Sequence, residues 1–353
     1  MNTLGQSCAG ILVGTAIGDS LGLPAEGLSR SRIQALWHGE WKHRFLFGWG
    51  MVSDDTEHSA LTALCLMSSG KDAAAFQRAL SWKLRLWFAC LPPGVGLATA
   101  RACIKMWLGF GSRSGVFSAG NGPAMRAAII GAVLSEDALR RREFVTASTC
   151  LTHTDPKANW AALAVAECSA MEAQQAFSVA DARRRLSAIS AKVEWLDLVE
   201  RIFRQLEAGV SVDEFAGSLG LRDGVSGYSL HSIPVAIFAW LRHRPDLERA
   251  LVAALDCGGD TDSVAAIVGA LGGSALGPDK LPRKWITPIH DWPWGVTRLR
   301  KIGTSLGDPS GKAPWLAWPL ILLRNLAVLL VVLGHGFRRL LPPYGPRSKP
   351  GLR

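Results

Sequence analysis

Two short acidic motifs contain the residues of this sequence that are best suited to chemistry. The first, Ser53-Asp54-Asp55-Thr56, follows two nearby glycines, and the second is Gly258-Gly259-Asp260-Thr261-Asp262-Ser263. Each motif alone is typical of a helix start, where Ser or Asp caps the helix and acidic side chains favour the first turn. Together they offer four carboxylates and neighbouring hydroxyls, the oxygen ligands that Mg²⁺ and Mn²⁺ prefer. If the two helix starts meet in the fold, repulsion between the carboxylates predicts that cations neutralise them.

The elements that must position these motifs are helices. Alternating strand patterns are almost absent, and long Ala- and Leu-rich stretches are separated by Gly, Pro and Asp. The sequence therefore predicts a compact all-α domain with no clear internal boundary, in which small residues let helices approach closely. The clearest predicted helices cover residues 59–67, 158–171, 186–208, 232–241, 247–254 and 264–276.

Charge and cysteine usage restrict the class of protein. The net charge of +10 comes entirely from the end of the chain, because residues 1–277 contain 26 basic and 26 acidic residues and residues 278–353 contain 13 and 3. The body therefore lacks the basic composition of a nucleic-acid-binding domain. Seven cysteines without a Cys-x-x-Cys spacing, mostly in apolar contexts, indicate reduced thiols, and no secretory signal is visible, so we expect a cytoplasmic protein. No P-loop, Gly-x-Ser-x-Gly or His-Glu-x-x-His motif occurs.

Six segments, in this order along the chain, resemble the ADP-ribosylglycohydrolase family, which includes the dinitrogenase reductase-activating glycohydrolases. They are residues 14–26, 51–56, 120–126, 151–156, 227–234 and 258–263. The departures are mild: Ser53 stands where Thr is usual, and Ser263 where Thr is also frequent, so both hydroxyls are kept. The resemblance implies an all-α, orthogonal helical bundle around a dinuclear Mg²⁺ or Mn²⁺ site. It also implies hydrolysis of the glycosidic bond between ADP-ribose and a protein or other acceptor.

Carried over position by position, the resemblance assigns roles to the acidic motifs. It implies that two divalent cations are held by six residues: Ser53, Asp54, Asp55, Asp260, Asp262 and Ser263. Glu26 would lie beside the metals and contact the ribose or the attacking water. One carboxylate would act as general base, and the sequence leaves Asp54, Asp55 and Glu26 open for that role.

The resemblance also indicates substrate contacts. Gly120, Asn121 and Gly122 suit a loop whose backbone N–H groups face a diphosphate, although an isolated Asn-Gly pair is more often an ordinary turn. His153, just before an Asp-Pro helix start, becomes a substrate contact rather than a capping or core histidine. Tyr228 either stacks on adenine or packs in the fold.

Two other functions are compatible with the motifs. The protein could hydrolyse a free ADP-ribose-type small molecule instead of a modified protein. It could also be a non-catalytic binding protein on the same fold, but the loss of metal ligands that would mark such a protein is not seen here.

The C-terminal region falls outside the pattern of the six segments. We predict a catalytic domain over residues 1–277, a Trp- and Pro-rich linker over 278–314, and a hydrophobic, basic tail over 315–353. Residues 315–341 are long and apolar enough to span a bilayer, which needs about 20 residues, but Arg324 and Asn325 fall near the middle. The sequence leaves three interpretations open: a spanning helix, a helix lying in the membrane interface, and a terminal helix packed on the body.

Overall fold

Helices make up nearly all the regular structure in the computed structural model, which describes residues 3–37, 40–308, 310–311 and 314–340. The predicted all-α class is confirmed. The α-helices, in chain order, are α1 (Leu4–Gly22), α2 (Arg30–Trp37), α3 (Asp54–Ser69), α4 (Ala73–Ala89), α5 (Leu97–Trp107), α6 (Ala127–Val133), α7 (Ala138–Cys150), α8 (Pro156–Ala173), α9 (Val179–Ser187), α10 (Val193–Glu207), α11 (Val212–Ser218), α12 (Ser229–His243), α13 (Leu247–Leu255), α14 (Thr261–Leu276), α15 (Arg283–Ile286), α16 (Val296–Leu306) and α17 (Trp318–Leu340).

Four short 3₁₀ helices and one small sheet complete the regular structure of the described residues. The 3₁₀ helices are Leu23–Ala25, Leu46–Gly48, Gly111–Arg113 and Ala124–Arg126. The sheet pairs β1 (Leu28–Ser29) antiparallel with β2 (Gly258–Gly259), Leu28 opposite Gly259 and Ser29 opposite Gly258. This sheet brings the chain that follows α1 next to the chain that leads into α14.

The centre of the molecule is an antiparallel pair formed by α1 and α14. Glycines line the contact, and they are needed there: a Cβ on Gly14 would lie 2.0 Å from the carbonyl oxygen of Gly269, a distance that no side chain tolerates. The Thr261 hydroxyl donates to the Gly22 carbonyl at 2.8 Å, so the end of α1 meets the start of α14. Helices α3, α6, α8, α12 and α13 pack against this pair.

Five of the six clearest helix predictions correspond to single helices in the structure, and the sixth is wrong in part. Residues 186–208 form the end of α9 and all of α10, with a break between Ser187 and Val193. The turn at the break is stabilised locally, because the Ser190 hydroxyl accepts a hydrogen bond from the Lys192 N–H at 3.3 Å. This segment contains neither Gly nor Pro, so the sequence carries no strong stop signal. The seven cysteines are all free thiols, and only Cys150 is not fully buried.

The segment predicted as a linker, residues 278–314, is largely folded onto the body in the structure. Helix α16 packs on α1 so closely that a Cβ on Gly303 would lie 2.3 Å from the Cα of Ala9. The side chains of Trp285 and Trp294 are buried in the common core. Two of the three tryptophans in this segment therefore contribute to core packing, whereas Trp292 is 59% exposed.

Helix α17 lies against the body, and the basic segment 341–353 predicted as the end of the tail lies outside the described residues. Two segments among the described residues have the length and hydropathy of a membrane-crossing helix: Leu4–Ala25, which is 94% buried as the core helix, and Trp318–Arg338, which is 22% buried. The second segment has a mean hydropathy of 2.0. Its inner face carries Arg324 and Asn325, both buried against the body.

Candidate active site

The start of α3 is held in place by a buried carboxylate on α1. Ser53 is the N-cap of α3, and its hydroxyl accepts a hydrogen bond from the Asp55 N–H at 3.3 Å. Asp19 accepts from the Ser53 N–H at 2.9 Å and from the Thr56 N–H and hydroxyl at 3.2 and 2.5 Å. Asp19 thus fixes the backbone that presents Asp54 and Asp55.

The start of α14 meets the start of α3. The Ser263 hydroxyl donates to Asp55 Oδ2 at 3.0 Å, and the Ser53 hydroxyl contacts the same oxygen at 3.4 Å. Asp260 is the N-cap residue of α14 and accepts a hydrogen bond from the Asn121 side chain at 2.6 Å. The two acidic motifs, about 200 residues apart in sequence, therefore meet in the fold.

Burial and mutual repulsion make this carboxylate cluster electrostatically unfavourable on its own. The pKa of Asp54 is raised well above its usual value, first by burial and then by the charges of Asp19, Glu57 and Glu26. The pKa values of Asp55 and Asp262 are raised in the same way, first by burial and then by neighbouring carboxylates. Positive charge placed among these oxygens would reverse the effect, because a nearby cation favours the ionised form.

The donor set fits a hard divalent cation. Among the described residues, Asp55 Oδ1, Asp262 Oδ1 and Asp19 Oδ1 are buried without a hydrogen-bond partner, although buried carboxylate oxygens are normally paired. No three His, Cys, Asp or Glu side chains in the described part of the chain converge closely enough to hold a metal ion by themselves. A cation here therefore needs the hydroxyls of Ser53 and Ser263, or water, in addition to the carboxylates.

A cavity of about 580 Å³ opens onto the cluster. This size suits a nucleotide-sized ligand. Of the predicted metal ligands, all but Asp55 line it; Asp55 lies behind this surface, against the two serine hydroxyls. Glu26 lines the same cavity at the end of the 3₁₀ helix that follows α1.

The predicted loop of Gly120, Asn121 and Gly122 lines the cavity, but its backbone is used differently from the prediction. The Gly120 N–H donates to the Ser118 hydroxyl at 3.3 Å and the Asn121 N–H to the Gly227 carbonyl at 3.0 Å, so neither faces a ligand. The glycines instead make room for His153, since a Cβ on Gly120 would lie 3.0 Å from His153 Nε2. The loop contributes a close-packed wall and the Asn121 amide.

His153 lines the cavity and is held by a buried arginine that the sequence analysis did not single out. Arg126 is fully buried and donates to the Gly122 carbonyl at 3.2 Å and to the Thr152 hydroxyl at 2.8 Å, which in turn contacts His153 Nδ1 at 2.9 Å. Burial, and secondarily the charge of Arg126, lowers the pKa of His153 to about 3, so its imidazole is neutral at neutral pH. A charged residue inside the apolar stretch Ala124-Met125-Arg126-Ala127 was the available signal.

Tyr228 does not line the cavity in the described structure, although it pairs with Gly120 through a backbone bridge. Its hydroxyl lies 3.1 Å from Lys157 Nζ, and its ring packs edge-on against His231 at 4.8 Å between centroids. The packing interpretation of Tyr228 thus describes the structure better than stacking on a base.

Helix α17 supplies a residue of the site that the sequence analysis placed in a possible membrane segment. Arg324 lines the cavity together with Val328 and Val332. Its guanidinium donates to Glu57 Oε1 at 2.6 Å, to Asp291, and to the Val52 carbonyl at 2.7 Å, just before the first acidic motif. Sequence alone gave no indication that residues 267 positions apart would pair in this way.

Comparison with known proteins agrees with this geometry. The family model for ADP-ribosylglycohydrolase matches residues 2–311. The ADP-ribosyl-[dinitrogen reductase] glycohydrolase of Rhodospirillum rubrum is 24% identical over 288 residues, covering 79% of this chain and 89% of that protein. The ADP-ribosylarginine hydrolase Tri1 of Pseudomonas putida is 26% identical over 310 residues, covering 82% of this chain and 76% of that protein.

A solved structure has the same fold. It is described as an ADP-ribosylglycohydrolase-related protein complex and superposes with a TM-score of 0.61 at 23% sequence identity, covering 88% of this chain and all of the matched chain. At that identity the likeness concerns the fold. With the family match over most of the sequence, the chain belongs to the ADP-ribosylglycohydrolase family.

Proposed function

We propose that this protein is a Mg²⁺- or Mn²⁺-dependent hydrolase that releases ADP-ribose from a modified acceptor. Family membership supports glycohydrolase activity on ADP-ribosylated substrates. Metal dependence is supported by two buried carboxylate oxygens beside the cavity, Oδ1 of Asp55 and Oδ1 of Asp262, which have no hydrogen-bond partner. Such oxygens are costly to bury unless a cation or a proton binds them.

The residues that would hold two cations are those of the two helix starts. Asp54, Asp260 and Asp262 present carboxylates to the cavity, and Asp55 and the two serines stand next to them. When bound, the cations would orient the ribose hydroxyls, act as Lewis acids and make water more acidic.

Access to the cavity reduces the candidates for the general base from three residues to two. Asp54 and Glu26 line the cavity, whereas Asp55 lies behind it and has one oxygen engaged by serine hydroxyls. A general base must be within reach of the water whose proton it takes. We therefore assign that role to Asp54 or Glu26.

The remaining cavity residues bind and orient the substrate. Neutral His153 offers an uncharged ring nitrogen at the cavity wall, and Asn121 is held by Asp260, so its position is coupled to the acidic cluster. For the acceptor, the names of the Rhodospirillum dinitrogen reductase glycohydrolase and the Pseudomonas ADP-ribosylarginine hydrolase make a protein-linked, arginine-type substrate the first choice. A free ADP-ribose-type molecule is the alternative substrate, and a non-catalytic binding protein the alternative function.

Metal binding is tested by titration calorimetry with MnCl₂ and MgCl₂. The double variant Asp260→Asn plus Asp262→Asn keeps the shapes of the side chains but removes two charges, and we expect it to bind neither cation measurably. The exposed Asp197→Asn is the matched control and should bind as the wild type does. Unchanged binding in the double variant would show that the site is assigned to the wrong residues.

The activity is tested with a substrate panel of arginine-, serine- and nucleic-acid-linked ADP-ribose, each with and without Mn²⁺. Release of ADP-ribose from a linked substrate only with metal is the expected result. Turnover of free ADP-ribose derivatives alone would favour the small-molecule alternative. Metal binding with no turnover of any substrate would favour the binding protein.

A further inference from the structure

Helix α17 has its polar residues turned inward, together with Ile321 and Val328, and most of its leucines turned outward. Between Trp318 and Phe337 its only polar side chains are Arg324, Asn325 and His335. Arg324 is paired with Glu57 and Asp291, and the Asn325 amide donates to the Cys90 carbonyl at 2.9 Å. His335 Nε2 lies 3.2 Å from the Pro24 carbonyl. A helix on a water-exposed surface normally has the opposite arrangement.

The outward face is a continuous apolar stripe with helical spacing. Its exposed members are Leu320, Leu323, Leu326, Leu330, Leu333 and Phe337. Leu323 and Leu330 are 65% and 72% exposed. An exposed apolar stripe of this length usually marks a surface that binds a membrane or another protein.

Exposed apolar residues also lie on segments next to α17. Leu91, 58% exposed, follows Cys90, whose carbonyl binds Asn325. Phe47, 98% exposed, lies two residues after Phe45, whose ring is 5.0 Å from that of His335. Trp315, just before the helix, is 80% exposed.

The charge of the surrounding sequence indicates what covers the stripe. No acidic residue follows Asp308, whereas Arg338 is exposed at the end of the stripe, and the sequence continues with Arg339, Arg347, Lys349 and Arg353. Basic residues at the end of an apolar face are attracted to anionic lipid headgroups. The stripe itself has no hydrogen-bonding side chain before Arg338, which matches the apolar region of a bilayer below its headgroups.

The orientation follows from the inner face. A helix that crossed the bilayer would have to release Arg324 from Glu57 and Asp291 and place it in hydrocarbon. A helix that lies in the interface keeps these pairs and buries the leucines. We infer that the outer face of α17 docks on an anionic lipid surface with its axis parallel to the membrane, on the helix that also forms a wall of the candidate active site.

The test is flotation of the full-length protein with vesicles of phosphatidylcholine alone and of phosphatidylcholine mixed with phosphatidylglycerol. The wild type should float with the anionic vesicles, and Leu323→Glu plus Leu330→Glu should weaken this binding at least about tenfold, equivalent to about 1.4 kcal/mol. The control Leu108→Glu plus Leu139→Glu adds the same charge at two other exposed leucines, 70% and 84% exposed, and should bind as the wild type does.

The inference would be wrong if the wild type did not float, if both double variants lost binding equally, or if neutral and anionic vesicles bound the protein equally well. It would also be wrong if the bound protein resisted alkaline carbonate extraction, because such resistance indicates a spanning helix. A dimer that Leu323→Glu plus Leu330→Glu converts to a monomer, without vesicle binding, would assign the stripe to a second copy of the chain. Because all four leucines are exposed, the melting temperature should be unchanged in both variants. This measurement distinguishes a loss of membrane binding from a loss of folded structure.

Discussion

At the scale of single residues, the candidate site combines buried acids and buried histidines whose pKa values are shifted in opposite directions. Burial raises the pKa of the carboxylates at the two helix starts and lowers the pKa of the two histidines beside Arg126, His58 and His153. The site therefore favours uncharged side chains until a cation or a substrate supplies a partner. Such opposed shifts in one cavity are more typical of a reactive site than of a structural one.

The first residue-scale prediction concerns His153 and pH. Its pKa falls from 6.5 to about 3 on folding, so below pH 6.5 the unfolded chain binds a proton that the folded protein excludes. The contribution of His153 to stability is therefore lost progressively as the pH falls from about 6.5 to about 3. Between pH 7 and pH 5 the loss is about 2 kcal/mol.

Urea denaturation at pH 7, 6 and 5 measures this effect. The variant His153→Gln cannot take up the proton, and we expect its stability to fall by about 2 kcal/mol less than that of the wild type over this range. The partly exposed His243→Gln is the control and should follow the wild-type slope much more closely. Parallel pH profiles for wild type and His153→Gln would mean that His153 is not held neutral by burial.

At the scale of elements, the site depends on how closely α1 and α14 approach. Gly14→Ala places a methyl group against the backbone of Gly269, where no flexible side chain can move aside. We expect a loss of at least about 2 kcal/mol, because overpacking exceeds the gain in helix propensity. In Gly334→Ala, on α17, the added methyl meets nothing within 4 Å, and we expect a stability change between zero and a gain of about 1 kcal/mol.

Thermal melting compares these two variants directly, since the same chemical change is made inside two helices. A lowered melting temperature for Gly14→Ala alone is expected. A similar change in both variants would mean that helix propensity, and not the approach of α1 to α14, controls stability at Gly14.

The elements also show how far the sequence could predict the site. The acidic motifs at the starts of α3 and α14 could be recognised in the sequence, because a few adjacent residues are suited both to capping a helix and to binding a metal ion. Asp19 and Arg126 were harder to interpret, because each acts through contacts with segments distant in sequence. The N–H groups of Gly120 and Asn121 were misinterpreted because their partners, Ser118 and Gly227, are defined only by the loop geometry.

At the scale of the whole molecule, the C-terminal helix is part of the site and not an appendage of the body. The family match ends at residue 311, yet Arg324 lines the cavity and binds two carboxylates that are far apart in sequence, Glu57 and Asp291. The apolar residues that indicated a membrane segment lie mostly on the outer face of this helix, whereas Ile321 and Val328 are buried on its inner face. The sequence could not show what the polar face of the helix binds, because the partners of Arg324, Glu57 and Asp291, lie in other parts of the chain.

The last prediction measures how strongly α17 is coupled to the body. Arg324→Met keeps the length of the side chain but leaves Glu57 and Asp291 buried without their cation. Removing one partner of a buried ion pair typically costs about 3–5 kcal/mol, whereas a partly exposed pair such as Arg300–Asp279 is worth at most about 1 kcal/mol. In urea denaturation we expect the free energy of unfolding to fall by the larger amount for Arg324→Met and by at most the smaller amount for the control Arg300→Met.

The double variant Arg324→Met plus Glu57→Gln distinguishes an electrostatic cause from a packing cause. The pKa of Glu57 is already raised to about 7 by burial, with Arg324 acting in the opposite direction, so without Arg324 the carboxylate is the unfavourable group. Replacing it with an amide should recover part of the lost stability, because an uncharged group is buried more easily. If the two substitutions were simply additive, Arg324 and Glu57 would not be coupled, and the ion pair with Glu57 would not be what holds α17 on the body.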